Sequence, residues 1–223
     1  MAIKGAHHVT FISSNMKAQI EFCTQVIGMR LTGLFPMHGV EGETRCFLEA
    51  GENCCLNFVE VEGGRPEQVI GICHSRDMTN IIAGGAMQHI AFELDSMEKM
   101  YAMRDLFRNA GFGVLGPPGH SLSESMYTGA PEGVLLEFVT VDNCEPVCVD
   151  DWVSADGIDI NEEELALYIN QPARKIQGGA VPQPEPEVVI HPAPIPKPMF
   201  EKLGYLADKQ YPESIRFQSP RAE

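Results

Sequence analysis

An α+β fold made of two tandem strand–helix–three-strand (βαβββ) modules is the class this sequence predicts, and three observations predict it. The first is a weak internal repeat. The segment HHVTFISSNM, beginning at His7, lies over QHIAFELDSM, beginning at Gln88, so that His8 meets His89, Phe11 meets Phe92 and Met16 meets Met97. The second is that each copy changes period in the same order, from alternating to helical and back to alternating. The third is a change of composition after about residue 142, where a proline-rich, acidic segment replaces the patterned one. We therefore expect a paired domain over 1–142, with modules at about 3–62 and 86–141. An extension over 143–223 is expected to carry short helices and a proline-rich arm.

The elements follow in order. Ala6–Ser13 alternates and reads as a strand. Ser14 and Asn15 stand where a helix N-cap belongs, and a helix is expected over about 16–27, closed by Gly28. Three strands follow near Met29–Phe35, Thr44–Glu49 and Asn53–Val61. The second copy repeats this plan, with a strand at Met87–Leu94, caps at Asp95 and Ser96 and a helix over about 97–110. Strands are then expected near Val114–Leu115, Ser123–Thr128 and Gly133–Val139. Beyond them, NEEELALYIN (161–170) reads as a short helix and Phe200–Lys209 as another. The prolines from Pro182 to Pro198 read as an extended arm that packs on its own domain or on a partner subunit.

Bulk properties exclude several function classes. With 31 acidic and 16 basic residues the formal net charge is −15, which repels phosphate backbones and anionic lipid heads, so neither nucleic acid nor membrane is expected as a partner. No apolar run reaches the roughly 20 residues that span a bilayer, and the N-terminus does not read as a secretory signal. The 7 cysteines are odd in number and form no Cys-x-x-Cys pair, which suits free thiols in a reducing cytoplasm.

The repeat also selects residues that carry chemistry. His8 and His89 hold matched places on the first strand of each copy, and Asn57 and Glu137 hold matched places on the last. A pseudo-twofold arrangement of the copies would bring these four together. Two imidazoles and a carboxylate form a set that suits a divalent metal and leaves positions open for substrate. Each residue alone would more often be an ordinary packed or solvated side chain, and only their matched placement argues for ligation. Strand alternation sends His7 to the opposite face from His8.

On these residues the chain resembles the vicinal oxygen chelate superfamily, which includes glyoxalases, bleomycin-resistance proteins and extradiol ring-cleaving dioxygenases. The resemblance covers about residues 3–141. It implies a cup-shaped mixed β-sheet around a metal held by His8, His89 and Glu137. Gly119 to Glu137, GHSLSESMYTGAPEGVLLE, is similar to the signature of the extradiol enzymes at His120, Met126, Tyr127, Ala130, Pro131, Gly133 and Glu137, and departs from it at Pro118.

That likeness implies cleavage of an aromatic diol with dioxygen. Iron(II) is then the expected metal, although manganese(II), zinc(II) and nickel(II) suit the same ligands. His120 and Tyr127 are the expected catalytic residues, His120 moving a proton and Tyr127 hydrogen-bonding a substrate oxygen. The bland alternatives are packing for Tyr127 and an exposed loop position for His120. Three rival functions stay open: a glyoxalase- or epimerase-type isomerase, a metal-dependent thiol transferase, and a metal-free drug-binding protein. A small, aromatic substrate is expected, and so is a homodimer, since paired modules in this superfamily meet within one chain or swap between two.

Overall fold

The computed structural model describes residues 4–36, 42–61, 67–75, 81–117, 122–146, 148 and 152–169. The expected sites and elements at Pro118 to His120, the proline arm from Pro182 to Pro198, and Phe200–Lys209 lie outside the described residues. Chain contacts divide into two units, Met1–Val147 and Cys148–Glu223.

The first unit contains both modules. Module one runs β1 (His8–Ile12), α1 (Met16–Glu21), a π-helical stretch (Phe22–Ile27), β2 (Arg30–Pro36), β3 (Glu43–Gly51) and β4 (Cys54–Val61). Module two runs β5 (Ile90–Glu93), α2 (Met97–Asn109), β6 (Val114–Leu115), β7 (Glu124–Gly129), a 3-10 turn at Pro131–Gly133 and β8 (Leu135–Thr140). Each forms a four-stranded sheet of the same topology, β1-β4-β3-β2 and β5-β8-β7-β6. In each sheet the first and last strands of the module pair in parallel and the remaining pairs are antiparallel. The fold is therefore the paired βαβββ arrangement that the repeat predicts.

Local chemistry explains the helices. Asn15 caps α1 by accepting from Ala18 N, and Ser96 caps α2 by accepting from Lys99 N. The expected helix over 16–27 changes hand-hold halfway, passing from α to π hydrogen bonding at Phe22. The wider turn lets consecutive Phe22 and Cys23 both reach the core, and β-branched Thr24 hydrogen-bonds back to Ile20 O. Gly28 ends the stretch at φ 91°, a conformation open to glycine.

The core joins the two modules through their helices. Phe22 stacks on Phe107 of α2 at 6.1 Å between centroids, and Phe107 in turn meets Phe138 of β8 at 5.2 Å. Around this aromatic chain Met16, Cys46, Leu48, Leu56, Phe58, Met100, Met126 and Leu136 are buried. Every second residue of each strand feeds this core, so the alternate residues of the same strands lie on the opposite, open faces. In β1 the open face carries His8, Thr10 and Ile12, all exposed.

A single carboxylate ties the modules together at one end. Glu132, in the turn before β8, accepts hydrogen bonds from Ser13 Oγ at 2.6 Å, Ser14 N at 2.7 Å, Ser14 Oγ and Gln19 Nε2 at 2.8 Å. It does so at φ 59°, where L residues other than glycine are uncommon. Burial opposes its charge, but the hydrogen bonds outweigh burial and hold the carboxyl down at about 2.

Within the second unit, α3 (Glu162–Ile169) begins with a reciprocal cap. Glu164 N donates to Asn161 Oδ1 at 2.9 Å and Asn161 N to Glu164 Oε2 at 3.2 Å. Glu162, Glu163 and Glu164 sit in its first turn, where the helix dipole favours negative charge. No helix among the described residues is long and apolar enough to cross a membrane.

Candidate functional site

Three of the residues selected from sequence meet on the open face of module two. His89 stands immediately before β5, and the register Tyr127↔Glu137 and Ala91↔Glu137 puts all three on one face of the sheet. His89 Nε2 lies 2.8 Å from Glu137 Oε2. The Tyr127 ring meets the His89 ring edge-on, with centroids 6.0 Å apart. Glu137 is buried, at 8% exposure, so its charge is only partly met by water. Burial raises the Tyr127 hydroxyl above the usual tyrosine range, and its hydrogen bond and proximity to Glu137 add to this, against a smaller opposing bond from Ser125. Tyr127 thus keeps its proton and donates it to Glu137.

The state of His89 follows from its neighbours. Its Nδ1 faces Gln88 Oε1. An amide oxygen only accepts, so in this arrangement Nδ1 donates to Gln88 and the other ring nitrogen, Nε2, faces the carboxylate. Both ring nitrogens of His89 are thus directed at side-chain oxygens. Sequence reasoning used Gln88 only as the partner of His7 in the repeat. Its adjacency to His89 is the signal by which its orienting role was readable.

His8 stands apart from this group. Its ring contacts His7, at 2.8 Å between Nδ1 atoms, and Phe47, at 5.8 Å between centroids. On the same face Asn57 is fully buried and donates from Nδ2 to Thr10 Oγ1 at 3.2 Å, while its Oδ1 has no partner. The places equivalent by the repeat, His8 with Asn57 and His89 with Glu137, are therefore each assembled within their own module. Among the described residues no group of three or more His, Cys, Asp or Glu side chains lies close enough to hold a metal ion. The four positions fall into these two places, one on each module. The helices of the two modules take up the shared core, which leaves the open faces directed away from it.

A cavity of about 180 Å³ adjoins His89. Its walls include Ile12, Gln88, Glu132 and the Cys73–His74 pair, in which His74 Nδ1 lies 3.1 Å from Cys73 Sγ. His74 reads from sequence as a loop histidine able to line a pocket mouth, whereas no local pattern marks Cys73 or Glu132, which become neighbours of His89 only through the crossover between modules and the turn before β8.

Residues 5–138 match the profile described as Glyoxalase/Bleomycin resistance protein/Dioxygenase superfamily. Among solved structures the chain is similar to a glyoxylase/bleomycin resistance protein/dioxygenase domain from Frankia sp. EAN1pec, with TM-score 0.51 and 12% identity, covering 62% of this chain and 98% of that one. It is also similar to TnmS3, an antibiotic binding protein from Streptomyces sp. CB03234, with TM-score 0.45, 16% identity and coverage of 63% and 98%. A third is a mutant of the fosfomycin resistance protein FosX from Listeria monocytogenes, complexed with Mn(II) and 1S,2S-dihydroxypropylphosphonic acid, with TM-score 0.43, 14% identity and coverage of 61% and 92%. No curated protein matches.

Proposed function

The chain belongs to the glyoxalase/bleomycin resistance protein/dioxygenase superfamily, and from that premise we propose that it is a divalent-metal enzyme acting on a small molecule with two neighbouring oxygens. His89 and Glu137 are the ligands from module two and His8 is the third. The observation that carries this reading is the His89–Glu137 pair, in which an imidazole whose Nδ1 is committed to Gln88 points its Nε2 at a buried carboxylate. That donor set fits a divalent cation. When bound, such a metal supplies Lewis acidity and a common anchor for adjacent substrate oxygens.

His8 reaches the set from a second copy of the chain. Support for this comes from the separation of the two half-sets within one chain and from the exposure of β1 on its open face. The proposed assembly is thus a homodimer with two equivalent sites.

The chain's own residues have defined tasks in this reading. Gln88 holds the His89 ring in one tautomer and orientation. Tyr127 retains its one hydroxyl proton and, with Glu137 committed to the metal, would turn it from Glu137 to a substrate oxygen. His120, outside the described residues, is proposed to move a proton at the substrate hydroxyl.

Within the superfamily the finer reading is a ring-cleaving dioxygenase, iron(II) being the proposed metal and an aromatic diol the substrate. Its support is the run from His120 to Glu137 together with the position of Tyr127 against His89. Oxygen uptake by anaerobically purified, iron(II)-loaded protein is the test, against a panel of catechols and hydroquinones. Uptake with a ring-opened product, absent in His89→Ala, is expected. No uptake with any diol, by protein that retains one metal per site, overturns it.

One observation favours a second reading. The buried, unpartnered Asn57 Oδ1 is available as a fourth oxygen ligand, which suits isomerase chemistry. Complete loss of metal in Asn57→Ala would support the four-ligand isomerase, and retained metal would leave the three-ligand enzyme.

A further inference from the structure

The open face of module one carries more than His8. Pairing across the sheet sets Thr10, Asn57, Phe47 and Gly33 in one row, and Ile12, Val59, Arg45 and Phe35 in the next. Residues directly paired across strands project on the same side. Phe47 therefore stands between His8, which it meets edge-on, and Phe35, on which it stacks at 6.1 Å with planes 24° apart. Arg45 lies two residues along β3 from Phe47, about 7 Å further on at strand spacing. That is the length of one aromatic ring with its substituents.

Arg45 also sits in a shielded ion pair. The side chain is 29% exposed and its partner Glu43 13%, so the pair is shielded, whereas Arg30–Glu49 on the same sheet is 74% and 40% exposed. Arg45 Nε donates to Glu43 Oε1 at 2.9 Å. One carboxylate on Nε orients the guanidinium and leaves its end-on fork, which matches a second carboxylate in shape and charge. In a chain of net charge −15 an anion is otherwise disfavoured near the surface, and a guanidinium that Glu43 meets at Nε, beside the Phe35–Phe47 pair, offers its fork to one.

We propose that Arg45 determines specificity by receiving a carboxylate of the substrate, so that the substrate class is an aromatic diol acid and not a neutral diol. This rests on the metal-centred reading above. The adjacent oxygens lie toward His8, the ring lies against Phe47 and Phe35, and the acid group lies on Arg45.

The test is isothermal titration, without oxygen, of the full chain loaded with zinc(II). The probes are 3,4-dihydroxybenzoate and its neutral counterpart 3,4-dihydroxybenzamide. The acid is expected to bind about 10-fold tighter than the amide, as a charge-assisted bidentate contact gives. Arg45→Gln is expected to lower the acid to the level of the amide and leave the amide unchanged. Equal binding of both probes by the unsubstituted protein overturns the proposal, and that arm does not depend on the variant folding. A preference that survives in Arg45→Gln overturns it equally. Failure of both probes to bind, with neither consumed by the iron(II) protein, refutes the diol reading beneath it instead.

Discussion

Replacing Glu132 should loosen the first unit by an amount that its hydrogen bonds allow to be worked out. The carboxylate accepts from two hydroxyls, one backbone N–H and one amide, all from module one. Hydrogen bonds to a charged group contribute about 1.5–3 kcal/mol each when shielded. Glu132 is only part-buried and the bonds share one group, so a net loss of about 3 kcal/mol is expected for Glu132→Ala. The backbone separates two contributions. At φ 59° an alanine keeps the left-handed strain that glycine does not feel, so Glu132→Gly should be about 1 kcal/mol less damaging than Glu132→Ala although it loses the same bonds.

The pH dependence has a definite sign. The folded carboxyl is held at about 2, below its ordinary 4.5. Its contribution is therefore fully present above about 4.5 and is lost as pH falls toward about 2. The difference in stability between the unsubstituted protein and Glu132→Gln should shrink over that window and nowhere above it. Urea unfolding followed by far-ultraviolet circular dichroism is the assay, because the strands and helices of the first unit dominate that signal, while the one tryptophan, Trp152, belongs to the second unit. Glu132→Ala within about 0.5 kcal/mol of the unsubstituted protein would show that the clamp contributes little and refute the reasoning.

Three further outcomes are expected. His89→Ala should weaken metal retention by more than about 100-fold, the upper range for disturbing a residue that merely orients a ligand, with the dichroism spectrum unchanged; full occupancy by elemental analysis would remove His89 from the ligand set. Tyr127→Phe should lower turnover of a true substrate about 10- to 100-fold without releasing the metal, and an unchanged rate would return Tyr127 to packing. Inactive His8→Ala and inactive Glu137→Ala, refolded together in equal amounts, should recover about a quarter of full activity. Half of the dimers are then mixed, and each mixed dimer has one intact site out of two. No recovery, with mixed dimers demonstrated by native mass spectrometry, would place the three ligands within one chain.

Much of this architecture was legible before folding was considered. The repeat and the change of period located the strands and both helices to within a few residues, since alternation and helical spacing are local consequences of burying one face. The exception within the first helix is the π stretch at Phe22, where core packing of two consecutive side chains overrode the α register. Glu132 was readable only as part of a Pro-x-Gly turn, and its clamp on Ser13, Ser14 and Gln19 is a contact over more than 110 residues that no local pattern encodes.

The candidate site divides along the same line. Strand pairing alone puts His89, Tyr127 and Glu137 on one face, because neighbours across a sheet share a side and the order of strands within a module follows from its connections. That His8 and His89 occupy equivalent places was also determined by sequence. Equivalence is not contact. Which faces of the modules meet depends on where the largest apolar surfaces are buried, and here the aromatic chain Phe22, Phe107 and Phe138 joins the helical sides. Only the tertiary structure decided that the modules join through their helical sides, since burial of that surface is a property of both modules packed together and of neither sequence alone.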